Sequence, residues 1–215
     1  SVEEHFTASD GTALFMRRWP KTLARAQVVV VHGFGEHCGR YERVGRHFNT
    51  LGVAVSSYDQ RGHGRSPGRR GEVGNFGALV DDLRVFHKRV SASAPPVPLF
   101  LLGHSMGGLV LAHYVLAHPT QAHGLIFSSA LLCLNANVSP LLVKLSGILR
   151  VVTPWLPVAR VDPEGLSRDP EVVSNYQSDP FVYHGRIGAR TGAVLSQAIQ
   201  EAGPRLKEIS LPLYV

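Results

Sequence analysis

The chain has 215 residues, 44% of them hydrophobic and 18% charged, which is enough to bury one core and suits a single fold better than two. Lys and Arg number 22 against 16 Asp and Glu, a formal charge of +6. The basic residues are scattered, though, and the densest stretch, RGHGRSPGRRG at 61–71, is too rich in Gly and Pro to form a basic helix, which argues against a nucleic-acid partner. Cys38 and Cys133 are too few for a disulfide framework and lack metal-ligand spacing. No apolar run reaches the roughly 18 residues of a membrane span, and none resembles a signal peptide.

The chain opens with two expected strands, 4–7 and 14–19, joined by the turn signal SDG at 9–11. AQVVVVHG follows, a β-branched run apolar on both faces, as a parallel strand covered by helices requires. A helix is expected over 41–52, ending at a glycine, then a strand over 53–59. Phe76, Leu79, Val80, Leu83, Phe86 and Val90 recur at helical spacing and predict a helix over 75–90. A strand at 99–102, an apolar helix at 106–117 and a strand at 124–130 come next. Strands and helices alternate in this way in an α/β protein with a mostly parallel sheet.

That rhythm breaks between 131 and 185. Leu141, Leu142, Leu145, Ile148, Leu149 and Val152 form an amphipathic stripe, followed by prolines and polar turns. An insertion of this length between core elements is longer than an ordinary connection and points to a role of its own. Helix resumes over 188–202, and LPLYV at 211–215 reads as a last strand. The expected organisation is therefore a core over 1–130, a cap over 131–185, and the core continued over 186–215.

The stretch LFLLGHSMGG at 99–108 carries the chemistry. A serine hydroxyl is a poor nucleophile unless it is exposed and aimed at a base. A sharp strand-to-helix turn exposes it, and flanking glycines relieve the crowding that such a turn imposes. Gly103, Ser105 and Gly107 have this G-x-S-x-G form, with an apolar strand before and an apolar helix after. The same turn places the Met106 N–H at a helix start, where developing negative charge is favoured. A second donor usually comes from a loop after an earlier strand, and in HGFGEH at 32–37 the Phe34 N–H occupies that position. No G-x-G-x-x-G follows that strand, so the loop does not read as a dinucleotide site. Neither a metal nor an organic cofactor is implied.

VVHGFGEHCGRY, YDQRGHGRSPGRRG and LLGHSMGG, in this order and spacing, resemble the monoacylglycerol lipase branch of the α/β-hydrolase superfamily, as does NYQSDPFVYHG after the insertion. The resemblance covers nearly the whole chain. It implies an α/β-hydrolase fold and an esterase or lipase acting on monoacylglycerols or similar single-chain esters. Ser105 would be the nucleophile, and the N–H groups of Phe34 and Met106 the oxyanion hole. Glu36, Arg40 and Tyr176 would lie at the polar, glycerol-recognising end. The cap stripe, Leu145 and Ile148 included, would line an acyl tunnel and dock on lipid, an ordinary core-facing helix being the other reading of that stripe. Asp59, Arg61 and His63 would tie loops together beneath the site. A lysophospholipase, thioesterase or peptidase stays open on the same fold, because function lives in the pocket.

A serine hydrolase also needs a general base and an acid to orient it, in the chain order Ser, Asp or Glu, His. Neither partner stands after the strand at 211–215. His104, His63 and His184 suit packing and hydrogen bonding better than a base. The expectation is an Asp shortly beyond Val215 and a His about 30 residues further on. Without them the reading would become a non-catalytic protein that binds a lipid or a partner. Two free thiols fit a reducing, cytoplasmic setting, with peripheral membrane contact through the cap, while a first residue other than Met leaves secretion open.

Overall fold

The computed structural model describes residues 1–93, 96–118, 120–133 and 153–215. Seven strands form one sheet. Strands β1 (Val2–Thr7) and β2 (Ala13–Trp19) make the expected hairpin, with Phe6 opposite Leu14, and β2 runs antiparallel to β4 (Val53–Tyr58). From β4 onward every pairing is parallel, through β3 (Ala26–Val31), β5 (Leu99–His104), β6 (Gly124–Ser128) and the short β9 (Leu213–Tyr214). Val28 through Val31 are all buried because helices cover both faces of β3, so alternation disappears from the sequence there.

On one face α1 (Glu42–Thr50) lies over Trp19, Val28, Val30, Val53 and Val55. On the other, α2 (Phe76–Ala92) and α3 (Met106–Ala117) pack with Val29, Val31, Leu101 and Leu125 into the main core, and α5 (Ala189–Ala202) closes on α3 through Leu109, Ala198 and Ile199. Asn75 proves to be the N-cap of α2 rather than its first residue, accepting from the Ala78 N–H at 3.4 Å. The strand expected to reach residue 59 stops at Tyr58, since the Asp59 carboxylate turns away to hold two loops.

The segment after 153 contains elements beyond those expected. Strands β7 (Pro157–Ala159) and β8 (Ile187–Gly188) pair antiparallel, and α4 (Pro170–Ser178) starts at Asp169, which caps the Glu171 N–H at 2.9 Å, with Pro170 in its first turn. Leu145 and Ile148, like the rest of the stripe at 141–152, lie outside the described residues. Among those described, no helix is long and apolar enough to cross a membrane.

Candidate active site

Ser105 stands between β5 and α3 with φ 49° and ψ −119°, a region that side-chain-bearing residues rarely occupy. The surroundings hold it there. A Cβ at Gly103 would lie 2.6 Å from the Gly107 carbonyl and from the Gly108 Cα. One at Gly107 would lie 2.5 Å from the His32 carbonyl and closer still to that of Val31, so α3 rests directly on the backbone of β3. The Ser105 N–H donates to the Ser128 carbonyl at 3.1 Å, and its own carbonyl accepts from the N–H groups of Gly108, Leu109 and Leu131. The turn is thus fixed from three elements, while the side chain remains partly exposed.

The loop after β3 runs alongside. A Cβ at Gly33 would lie 3.1 Å from the Ser105 Cβ, tighter than an ordinary contact, so glycine lets the chain pass this close without pushing a side chain aside. Phe34 follows, its ring buried edge-on against His63 at 5.4 Å and Tyr183 at 6.0 Å. The N–H groups of Phe34 and Met106 have no acceptor among the described residues. Two unpaired donors therefore flank the serine, one of them at the N-terminus of a twelve-residue helix.

Glu36, Arg40 and Tyr176 do come together. One Glu36 oxygen accepts from the Gly33 N–H and the Tyr41 hydroxyl, both at 3.3 Å, and the other lies 3.5 Å from Arg40. The Arg40 guanidinium sits 4.7 Å over the ring of Tyr176, the buried residue of α4. Burial first, and then the Glu36 charge, raise the pKa values of Tyr41 and Tyr176 above the ordinary phenol value, so both stay protonated. The result is a polar wall whose charges cancel.

Beneath it, Asp59 accepts from the N–H groups of Cys38 and Arg65, each at 2.7 Å. Arg61 grips the buried Asp82 of α2 with two bonds, at 2.6 and 2.7 Å, and Asp10 of the first turn at 2.6 Å. These contacts tie loops together as expected of Asp59 and Arg61, whereas His63 hydrogen-bonds within its own loop and meets the neighbouring loop by packing on the Phe34 ring. His63 donates from Nδ1 to the Arg61 carbonyl at 2.9 Å, and burial pushes its pKa down to about 4. Burial likewise holds His32 well below the ordinary value, its Nε2 accepting from the Gln60 N–H at 3.0 Å.

A histidine whose folded pKa is depressed keeps its stabilising contribution above the unfolded value and loses it as pH falls. Between the unfolded value of 6.5 and about 4 for His63, the unfolded chain takes a proton that the folded chain refuses. Acidification across that window should therefore lower stability, by on the order of 3 kcal/mol from His63 alone. His63→Gln should show a shallower fall in the urea midpoint between pH 7 and pH 4, and equal slopes would reject the assignment.

No histidine nitrogen is hydrogen-bonded to the Ser105 hydroxyl among the described residues. His104 turns its Nδ1 to the Ser128 carbonyl at 2.9 Å, and His184 contacts the Asp179 carbonyl at 3.2 Å and the Tyr176 ring edge. No cluster of three metal-ligating side chains occurs among the described residues. Sequence reasoning passed over His37 and Asp179, which meet across the site. Their signals were a histidine one residue past Glu36 and an SDP turn after Tyr176, each too common to single out.

The sequence profile described as "Serine aminopeptidase, S33" (Hydrolase_4) matches residues 22–215. The chain belongs to that family. It is 35% identical over 214 residues to a monoacylglycerol lipase of Mycolicibacterium smegmatis, covering 99% of this chain and 76% of that protein. A monoglyceride lipase of Rattus norvegicus is 36% identical over 210 residues, covering 97% and 69%. The crystal structure of Paleococcus ferrophilus monoacylglycerol lipase superposes with a TM-score of 0.80 at 31% identity, covering 93% of this chain and 75% of that one. The chain is thus a monoacylglycerol lipase-like α/β hydrolase and a carboxylic ester hydrolase, as its motifs led one to expect.

Proposed function

We propose that the enzyme hydrolyses monoacylglycerols through an acyl-enzyme on Ser105. The observation that carries this is the strained serine beside two unpaired N–H groups, next to a charge-balanced polar wall. Ser105 Oγ attacks the ester carbonyl. The oxygen that gains charge accepts from Phe34 and Met106, whose donors are already in place and need no reorganisation. The alcohol leaves, and water then attacks the acyl-serine and releases the acid. The proton of Ser105 passes to a general base, on this reading a histidine oriented by an Asp, which hands it to the departing alcohol and then takes a proton from the attacking water.

Glu36, Arg40 and Tyr176 would receive the alcohol. Together they carry no net charge and offer both donors and acceptors, which suits a small polyol better than an anionic headgroup or a peptide amine. The acyl chain would lie along the cap over 131–185, with Leu145 and Ile148 among its contacts. A cytoplasmic setting with peripheral membrane contact through that cap belongs to the same proposal.

A substrate panel tests it. The value of kcat/KM for a long-chain monoacylglycerol should exceed that for the matching lysophospholipid and for aminoacyl amides by at least about tenfold, since a charged group against the balanced wall costs on this scale. A preference for the amides would overturn the lipase reading in favour of a peptidase.

A further inference from the structure

The loop that carries Phe34 is fastened to the segment following α4, and His37 and Asp179 make the fastening. His37 Nε2 lies 2.8 Å from Asp179 Oδ2, with only 12% and 21% of the two side chains exposed. His37 Nδ1 accepts from the Gly39 N–H at 3.2 Å and so caps the short 3-10 turn Cys38–Tyr41. With the Nδ1 lone pair engaged, the ring proton sits on Nε2 and donates to the carboxylate. Asp179 divides its oxygens: Oδ1 accepts from the Phe181 N–H at 2.9 Å and closes a turn, and Oδ2 takes the histidine.

That turn reaches the loop at further points. The Tyr183 N–H donates to the Gly35 carbonyl at 2.8 Å, the Tyr183 ring meets Phe34, and the Phe181 ring meets His37 at 5.7 Å. Gly35 has φ 76°, so the peptide after Phe34 is set by a backbone conformation that its neighbours must maintain. From the other side Glu36 accepts the Gly33 N–H. Phe34 is therefore held between two anchors, one internal to the loop and one supplied from 142 residues away.

We propose that His37 and Asp179 form a clasp that aims the Phe34 N–H at the ester oxygen, which makes His37 a positioning residue; this rests on the reading of Phe34 as an oxyanion donor. The competing account is that His37 only caps the turn at Gly39. Two substitutions separate them. Asparagine places an acceptor where Nδ1 stands and keeps the cap but loses the reach to Asp179. Glutamine places an N–H₂ where Nε2 stands and keeps the reach but loses the cap.

Removing an oxyanion donor outright costs about 10²–10³ in kcat, and a misaimed donor costs less. In the native enzyme His37→Asn should lower kcat about tenfold with KM within about twofold. The Ki of an alkyl trifluoromethyl ketone, which forms a tetrahedral adduct on the serine, should rise in step with the loss of kcat/KM. His37→Gln should recover most of the activity. Asp179→Asn should resemble His37→Asn. Whichever way the amide turns, its nitrogen opposes a donor: the His37 Nε2–H of the clasp, or the Phe181 N–H that closes the turn carrying it.

An Asn variant with wild-type kcat, or a Gln variant as impaired as the Asn one, would overturn the clasp. Should His37→Asn lower the melting temperature, kcat measured well below it in the cycle with Asp179→Asn decides. A double variant no worse than the poorer single supports the clasp, and additive losses overturn it. Turnover by Ser105→Ala would be a separate failure, of the nucleophile reading beneath it.

Discussion

Replacing Ser105 by alanine should lower ester hydrolysis by four to six orders of magnitude, on the order of the losses seen when the nucleophile of a serine hydrolase is removed, while leaving the fold intact. The two halves of that expectation have separate physical grounds. The chemical half follows from the absence of another hydroxyl fixed between unpaired N–H donors among the described residues; without Oγ no acyl-enzyme forms. The structural half follows from the backbone. Alanine keeps the Cβ, so the strain at φ 49° is unchanged, and the bonds that hold the turn involve only the main chain of Ser105. Ser105→Gly provides the complementary case. It should be equally inactive yet more stable by about 1 kcal/mol, because glycine occupies positive φ without the Cβ penalty. Turnover of a long-chain monoacylglycerol, labelling by a fluorophosphonate and urea midpoints for the three proteins test both halves. Residual labelling of the alanine variant would move the nucleophile elsewhere. A glycine variant no more stable than the alanine one would mean that the turn stores no strain.

The core strands and the elbow were legible because they are governed by local rules that leave marks. A short β-branched run apolar on both faces favours a covered strand over a buried helix, and β3 is one. A helix that must start one residue after an exposed serine needs Gly103 and Gly107, and α3 begins at Met106 as expected. Other parts were marked but overlooked. Asp169-Pro170 is a cap followed by a first-turn proline, and it announces α4 as clearly as any signal in the chain. The polar prolines around it drew attention to turns instead. Still other features had no local mark. Arg61 reaches Asp10 and Asp82, and His37 reaches Asp179, over separations of 51, 21 and 142 residues. Pairing at such distances is decided by the topology of the sheet. The order β4-β3 sets the loops after those strands, which carry Arg61 and His37, side by side at one end of the sheet, and their carboxylate partners arrive there from elsewhere: Asp10 from the β1–β2 turn, Asp82 from α2 and Asp179 from the end of α4.

The same close packing sets the largest effect on stability. Gly107→Ala should destabilise the protein by about 3 kcal/mol or more, at or beyond the usual range for overpacking a core. The sign is informative, because alanine in place of glycine inside a helix ordinarily stabilises it by about 1 kcal/mol. Here the added methyl would meet the carbonyl oxygens of Val31 and His32, which belong to the central strand and its end. Neither can yield. Val31 pairs with Tyr58 on one side and Gly103 on the other, and the His32 carbonyl accepts from the Gln60 amide at 2.7 Å. The helix must therefore shift outward, lifting Leu109, Val110 and Leu111, all fully buried, from their contacts. Since α3 carries the Met106 N–H and is continuous with Ser105, the shift also separates the donor and the serine from Phe34. A displacement of about 1 Å costs on the order of 10² in rate. Gly33→Ala is the graded comparison. Its methyl would sit 3.1 Å from the Ser105 Cβ and 3.3 Å from a His104 ring carbon, a side-chain contact that a small movement relieves. It should reduce kcat with a much smaller loss of stability. Urea unfolding and kcat measured on both variants give the order. A Gly107→Ala protein as stable as the parent would show that α3 does not rest on β3 as closely as the structure has it, and the rigid placement of Ser105 against Phe34 would lose its basis.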